Sequence, residues 1–132
     1  MKEPRWLTGE VVAALHGESL ARFGGAPGLR DKALLDSAIA RPRQVFAYGE
    51  TVDICALAAA YGCGIVRNHP FLDGNKRAGL LAIAVFLHLN DHRFDPDEAE
   101  EVRVIAGVAA GEIGEPELAD WIRANATAYP RP

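Results

Sequence analysis

Apolar residues recur at helical spacing in about six segments of the chain, and turn-forming residues separate these segments. In the first segment, Thr8 is a candidate N-cap and the stretch GGAPG is a candidate stop. The apolar positions between them are Val12, Leu15, Leu20 and Phe23. The pattern predicts an all-α fold, a compact bundle of about six helices around a central apolar helix, in one domain spanning residues 1–132.

The second segment begins at Asp31, another candidate N-cap, and its apolar positions fit a helix as far as Pro42. Proline has no backbone N–H and its ring clashes with the preceding turn, so the helix should end or bend there. In RQVFAYGE, which follows, Phe46 and Tyr48 alternate as in a very short strand. The sequence therefore predicts a short extended flap after Pro42.

The third and fourth segments are the most apolar. From Thr51, one face carries Ile54, Leu57, Ala58, Tyr61 and Ile65, and the small residues in AAAYGCG would let a neighbouring helix approach closely. Pro70 disfavours a helical backbone at the preceding residue, which predicts a turn. The next helix, Asn75 to about Leu89, is apolar nearly all round and is predicted to lie at the centre of the bundle.

Two shorter helices complete the chain. DPDE offers Asp95 as N-cap and Pro96 at the first helical position of a fifth helix to about Ala110, and Glu115 with Pro116 begins a sixth. The tail TAYPRP is predicted to be frayed. Cys55 and Cys63, eight residues apart on one helix, are too distant for a disulfide and are predicted to be buried small hydrophobes.

Composition and charge narrow the choice of partner. The 132 residues carry fourteen Lys and Arg against eighteen Asp and Glu, a net charge of -4, so no broad basic face is available for nucleic acid. The longest apolar run is well short of the roughly 20 residues that span a bilayer, and the first residues do not resemble a secretion signal. The sequence indicates a soluble cytoplasmic protein with a protein or small-molecule partner and no membrane contact.

Residues 69–77, HPFLDGNKR, crowd several reactive groups before the fourth helix. If Gly74 to Arg77 form its first turn, their N–H groups lack intrahelical partners and the helix dipole adds positive charge. Lys76 and Arg77 add full charges and Asn75 adds an amide donor. This combination predicts a binding site for a chain of phosphates.

Two further groups in this stretch suit chemistry rather than binding alone. Asp73 offers the carboxylate oxygen that Mg²⁺ prefers, and His69 can take a proton from a hydroxyl near neutral pH. A base, a metal ligand and an anion cradle are what phosphoryl or nucleotidyl transfer requires. The alternative is a solvated turn in which Asp73 is a helix cap and Arg77 a surface ion-pair partner.

This stretch resembles the signature of the Fic and Doc proteins: His-x-Phe, an acidic residue, a small residue, Asn, a variable position and Arg. The resemblance runs from the first helix and GGAPG to the GEIGEPELADWI end. It implies the all-helical Fic fold, with ATP and Mg²⁺ as cofactors. It also implies His69 as the base on a target hydroxyl, Asp73 as the metal ligand and Phe71 as a core anchor. Asn75, Arg77 and a basic position matched by Arg67 would hold phosphates.

Two positions distinguish the branches of the family. Fic enzymes that transfer AMP usually have Gly where this chain has Lys76 and a second Arg where it has Leu80. The resemblance at these positions is to Doc, which implies a toxin kinase that moves the γ-phosphate of ATP onto a threonine of elongation factor Tu and arrests translation. Gly74 and Pro70 match the Fic form, which keeps protein adenylylation (AMPylation) as an alternative. The other alternative is a catalytically silent module that binds an antitoxin or acts as a corepressor.

Regulation is expected to come from a second protein. None of the Ser and Thr residues is followed at the right spacing by the glutamate of the Fic inhibitory helix, so the resemblance implies a cognate antitoxin that is partly disordered and folds on binding. The first helix and the loop from Gly24 to Leu29 are a candidate docking groove, unless their apolar residues are simply core. In the family, the flap presents the target hydroxyl, a role that would fall to Val45, Phe46 and Tyr48. The remaining histidines, His16, His88 and His92, are predicted to have no function beyond satisfied or solvated imidazoles.

Overall fold

The computed structural model describes residues 1–130, which form six helices and two short strands. The elements are α1 (Gly9–Phe23), α2 (Lys32–Tyr48), α3 (Ile54–Asn68), α4 (Asn75–Leu89), β1 (His92–Phe94), α5 (Glu98–Ala109), α6 (Glu115–Asn125) and β2 (Ala126–Ala128). The predicted all-α bundle is confirmed. In residues 1–130, each helix is too short or too polar to cross a bilayer.

Side-chain caps fix where most helices begin. Thr8 accepts a hydrogen bond from the N–H of Val11, and Asp31 and Asp53 cap α2 and α3 in the same way. Helix α5 is capped by Asp97, whose carboxylate accepts from the N–H of Glu100, so the helix begins two residues later than the prediction with Asp95 as N-cap. Asp95 and Asp97 are both suitable N-cap residues, but only Asp97 lies at the start of the helix.

Helix α2 contradicts the predicted flap. It continues without interruption through Pro42 to Tyr48, so Val45, Phe46 and Tyr48 lie in its last turn instead of in an extended segment. Pro42 is buried, Val45 and Phe46 pack against the core, and the ring of Phe46 meets Trp6 edge to face at 5.7 Å. This burial outweighs the one hydrogen bond that proline removes. The buried and half-buried positions 42, 45 and 46 follow helical spacing. The prediction missed this pattern because Phe46 and Tyr48 alternate as in a strand.

Helices α3 and α4 form the centre of the bundle. Helix α3 packs against α2, α4, α5 and α6, and eleven of its residues are buried compared with seven in α4, so it is the more enclosed of the two. Their contact depends on glycine: a Cβ at Gly79 would lie 2.6 Å from Val66 Cγ2 and 3.2 Å from the carbonyl oxygen of Gly62. The predicted close approach at the small residues of α3 is confirmed, and it fixes how the loop between the two helices is presented.

The C-terminal segment is more ordered than predicted. Strand β2 pairs antiparallel with β1, with Arg93 opposite Thr127, so the first part of the tail is not frayed. Residues 131 and 132 lie outside the described residues. Cys55 and Cys63 are free and buried, as predicted.

Candidate active site

His69 ends α3 in an uncommon backbone conformation. It is the C-cap residue, with φ 53° and ψ 54°, in the left-handed region that costs a non-glycine residue energy. Two hydrogen bonds from Arg30 hold this end of the helix: Nε donates to the carbonyl oxygen of His69 at 2.7 Å and Nη2 to that of Asn68 at 2.8 Å. A guanidinium at a helix C-terminus also complements the negative end of the helix dipole. The turn predicted before Pro70 is therefore present, and hydrogen bonds from Arg30 hold it in place.

The segment around Arg30 runs alongside the signature loop. The N–H groups of Arg30 and Asp31 both donate to the carbonyl oxygen of Pro70, at 2.7 and 3.0 Å, and the N–H of Leu72 donates to Gly28 at 3.0 Å. These bonds form a short antiparallel bridge between Leu29 and Phe71. The loop between α3 and α4 thus has a fixed backbone, while the side chains of His69, Leu72 and Asp73 are exposed.

Asn75 closes the loop from the α4 side. Its side-chain Oδ1 accepts from the N–H of Phe71 at 3.0 Å, and its Nδ2 donates to the carbonyl oxygen of the same residue at 3.0 Å. The side chain is buried, with 4% of its surface exposed. The amide predicted as a phosphate donor is thus engaged mainly in holding Phe71, whose ring is 2% exposed and anchors the loop in the core, as predicted for the signature phenylalanine.

His16, which was predicted to have no function, contacts the same loop from α1. Its ring is buried and stacks in parallel on Phe71, with 3.8 Å between centroids and 6° between planes. Its Nε2 lies 2.7 Å from the carbonyl oxygen of Asp73. Because that oxygen can only accept, Nε2 carries the hydrogen.

The Asp73 carboxylate is exposed and is oriented by backbone N–H groups. Its Oδ2 accepts from Ala26 at 3.2 Å and its Oδ1 from Gly74 at 2.8 Å, and these two bonds hold the pKa of Asp73 below its ordinary value. The approach of the GGAPG loop requires glycine, since a Cβ at Gly25, where φ is 124°, would lie 2.8 Å from Oδ2. Asp73 is therefore an ionised, oriented carboxylate at the surface of the loop.

The residues at this site fit Mg²⁺ only if phosphate oxygens supply the ligands that the protein does not. Within residues 1–130 there is no group of three or more His, Cys, Asp or Glu side chains that could hold a metal ion alone. Magnesium commonly binds through one or two carboxylates together with substrate phosphates. Asp73 meets that requirement beside the N-terminus of α4.

Lys76 and Arg77 lie in the first turn of α4 and are both exposed. The guanidinium of Arg77 contacts α1: Nη1 donates to the carbonyl oxygen of Gly24 at 3.4 Å, and Cζ lies 5.2 Å from the ring centroid of Phe23. Phe23 itself is 64% exposed, so this cation–π contact is at the surface. The side chain of Lys76 has no hydrogen bond or ion pair within the described part of the chain.

These groups line one hollow of about 510 Å³ at the N-terminus of α4. Its lining consists of Val66, His69, Asp73, Gly74, Asn75, Lys76, Arg77 and Ala109. Hollows of similar volume lie beside Arg93 and beside Tyr48, so volume does not distinguish the site. The chemistry of its lining does, because six of the nine residues of the signature stretch converge there.

Two residues with predicted or excluded roles, Arg67 and Leu80, make their contacts away from the candidate site. Arg67 donates to the carbonyl oxygens of Ile113 at 2.8 Å and Val108 at 3.4 Å and lines a separate hollow, so the structure does not bring it to the phosphate site. It fastens the turn between α5 and α6 to α3. Leu80 packs against the core and offers nothing to a phosphate.

Sequence reasoning missed the groups that hold the loop in place. His16 is a single histidine on a helix, and Arg30 is one charged residue in an exposed loop, so neither carries a motif. The Gly24-Gly25 pair did carry a signal, because consecutive glycines often mark a close backbone approach. It was interpreted as a helix stop and as part of a candidate docking loop, whereas Gly25 also makes room for Asp73.

A six-helix bundle with this loop at the start of α4 defines a class of protein. The profile of the Fic/DOC family matches residues 6–87, which extend from the segment before α1 through most of α4, and the chain belongs to this family.

Named relatives identify the branch. The chain is 35% identical to "Protein kinase doc" of Escherichia phage P1 over 120 residues, which are 90% of this chain and 94% of that protein. It is 43% identical to "Toxin Doc" of Mycolicibacterium smegmatis over 88 residues, 61% of this chain and 65% of that protein. The chain is therefore a Doc-type member, which agrees with the interpretation of Lys76 and Leu80.

Proposed function

We propose that this protein is a toxin kinase that transfers the γ-phosphate of ATP to a threonine hydroxyl of elongation factor Tu in the cytoplasm. A cognate antitoxin would neutralise it. The observation that carries the proposal is the convergence of His69, Asp73, Lys76 and Arg77 on one hollow at a helix N-terminus. The similarity to a protein named as a kinase over nearly its whole length supports the choice of reaction.

In the proposed reaction, His69 Nε2 or Nδ1 accepts the proton of the threonine hydroxyl as the oxygen attacks the γ-phosphorus. The bond between that phosphorus and the β,γ-bridging oxygen breaks, and ADP leaves with the electron pair. His69 is suited to this role because its side chain is exposed and its backbone is fixed by Arg30. A hydroxyl must still enter the hollow from a second protein.

The charge on the phosphates would be balanced by groups of the first turn of α4. The backbone N–H groups at this helix start lack intrahelical partners, and Lys76 and Arg77 add positive charge. Arg77 must release the carbonyl oxygen of Gly24 to reach a phosphate. Asp73 would hold Mg²⁺ together with phosphate oxygens, and the metal would neutralise charge that develops during transfer.

The antitoxin interface is proposed to use the exposed end of α1 and the following loop. Val12 is fully buried and belongs to the core, which removes it from the candidate groove. Phe23 and Leu29 are 64% and 44% exposed and remain available to a partner. A partly disordered antitoxin that folds on this surface would cover apolar side chains next to the proposed phosphate site.

The test uses purified protein, elongation factor Tu and Mg²⁺, with ATP labelled in parallel at the α- or the γ-phosphate. His69→Asn is the control variant, since asparagine tolerates the left-handed backbone and cannot act as the base. We expect γ-label on a threonine of the factor with the wild-type protein and none with the variant.

Each other outcome removes a defined part of the proposal. Label from the α-phosphate would mean adenylylation and would overturn the use of Lys76 and Leu80 to assign the branch. Label on other proteins of an extract but not on the factor would overturn the substrate. Growth arrest that persists in His69→Asn, with no label on any protein, would indicate a binding module instead of an enzyme.

A further inference from the structure

His16 is a buried titratable group that the proposed reaction does not use, and it contacts the signature loop. It lies 57 residues before Asp73 in the sequence, on α1, and 4% of its surface is exposed. Burying an imidazole requires that its polar atoms find partners, and Nε2 has one at 2.7 Å in the carbonyl oxygen of Asp73. Its hydrogen bond and its ring stacking are both made with the signature loop.

We infer that His16 is a positioning residue, which fixes the Asp73–Gly74 peptide so that the Asp73 carboxylate keeps its place beside the start of α4. The inference rests on the proposed function, because the carboxylate matters only if it holds a metal and phosphates. His16 touches no reacting atom and acts through Asp73.

Two contacts allow His16 to fix the orientation of the Asp73–Gly74 peptide. The hydrogen bond sets the direction of the Asp73 carbonyl, and with it the orientation of the peptide that continues into Gly74. Stacking at 3.8 Å fixes the imidazole plane against Phe71, whose backbone is in turn held by Asn75. The His16 ring is fixed by stacking on Phe71 and is hydrogen-bonded through Nε2 to the Asp73 carbonyl. The Asp73–Gly74 peptide therefore has little freedom to rotate.

Residues on either side of the Asp73–Gly74 peptide add to this restraint. A Cβ built on Gly74 would make ordinary van der Waals contact with Nε2 of His16, at 3.5 Å, so the ring lies next to the residue that precedes α4. On the opposite side, the N–H of Ala26 holds the carboxylate of Asp73. Asp73 is thus held at its carbonyl by α1 and at its carboxylate by the loop that follows α1.

The test separates the hydrogen bond from the stacking. His16→Phe keeps an aromatic ring on Phe71 and removes the donor, whereas His16→Gln keeps an amide donor and removes the ring. The same two substitutions at His88, an exposed histidine near the other end of α4, are matched controls.

We expect His16→Phe to reduce kcat by about tenfold or more with a smaller change in KM for the protein substrate, because displacing a reacting group by about 1 Å is costly. His16→Gln should recover most of the lost rate, and the apparent affinity for Mg²⁺ in the presence of ATP should follow the same order. Full activity in His16→Phe would overturn the inference. So would equal rate losses in both variants that parallel their losses of stability.

A second readout does not depend on activity. The wild-type protein should show a slowly exchanging imidazole N–H proton from His16, and the carbonyl ¹³C resonance of Asp73 should shift in His16→Phe and return towards its original position in His16→Gln. Absence of that proton in the folded wild type would overturn the inference even if a variant fails to fold. If the wild type transfers no phosphoryl group while these NMR signals behave as expected, the proposed function has failed and the positioning of the peptide has not.

Discussion

At each end of α4, an asparagine side chain pairs with the backbone N–H and C=O of one residue outside the helix. Asn75 pairs with Phe71, four residues earlier, and Asn90 pairs with Arg5, 85 residues away. Both turns also contain a non-glycine residue in the left-handed region, His69 with φ 53° and Asp91 with φ 64°. The two ends are therefore held by the same kind of contact.

The two ends of α4 differ in whether the surrounding side chains have hydrogen-bond partners. At the C-terminal end, Nδ1 of His88 lies 3.1 Å from the hydroxyl of Tyr129, and Nδ1 of His92 lies 2.7 Å from the carbonyl oxygen of Asn90. At the N-terminal end, the side chains of His69 and Lys76 make no hydrogen bond within residues 1–130. The N-terminal turn thus differs in having unengaged charged or titratable side chains on a fixed backbone, an arrangement that suits the proposed chemistry.

The largest effect should come from substituting His69, the proposed base. His69→Asn should lower kcat by about 10²- to 10⁴-fold, the usual contribution of a positioned general base, while the melting temperature stays close to wild type because the side chain is exposed. His88→Asn, at the other end of α4, is the control and should leave kcat unchanged. Steady-state kinetics with thermal unfolding measures both, and similar kcat values for the two variants would contradict the distinction between the ends.

Asn75→Ala should reduce both stability and activity. It leaves the N–H and C=O of the buried Phe71 without partners, which should lower the free energy of unfolding by about 1–3 kcal/mol. Because the same contact holds the loop, kcat should fall by more than the unfolded fraction explains. Urea unfolding and kinetics on the same preparation test this, and a loss of activity that matches the loss of folded protein would contradict it.

Lys76→Gln should affect binding and not stability. Removing one charged contact to a phosphate should raise KM for ATP by about tenfold, equivalent to about 1.4 kcal/mol. Lys76 has no partner to lose within the described residues, so the free energy of unfolding should be unchanged. Kinetics at several ATP concentrations provides the measurement, and an unchanged KM would remove Lys76 from the phosphate site.

Asn90→Ala should have the smallest effect and only on stability. The side chain is partly exposed, so losing its bonds to Arg5 and Phe86 should cost about 1 kcal/mol. The kcat per folded molecule should equal that of the wild type. If kcat falls as far as it does in Asn75→Ala, the two ends of α4 are coupled and their comparison as independent turns is wrong.

Local signals in the sequence predicted much of the fold. Thr8 and Asp31 cap helices as predicted, and the bounds of α4 agree with Asn75 to Leu89, because N-caps and apolar periodicity depend on neighbouring residues alone. The end of α2 was missed because burial of Pro42, Val45 and Phe46 against distant residues overrides the local cost of proline.

The candidate site divides in the same way. Residues 69–77 could be recognised because the reactive groups are adjacent in sequence, and six of them do line one hollow. The groups that hold the loop could not be recognised, because His16, Ala26 and Arg30 lie 38 to 57 residues from the residues they contact. Arg67 shows the converse: the resemblance to a basic position of the family suggested a role at the phosphate site, yet its guanidinium donates to Val108 and Ile113.

The contacts from α1 and its loop to residues 69–73 have a consequence for the order of folding. Contacts between α3 and α4 close short stretches of chain, whereas the bond from His16 to Asp73 closes 57 residues, and closing longer loops costs more entropy. We therefore expect α3 and α4 to pair early and α1 to dock late. The Asp73 carboxylate would reach its final orientation only in that last step, so a nascent or partly folded chain would have a bundle core before it has a competent site.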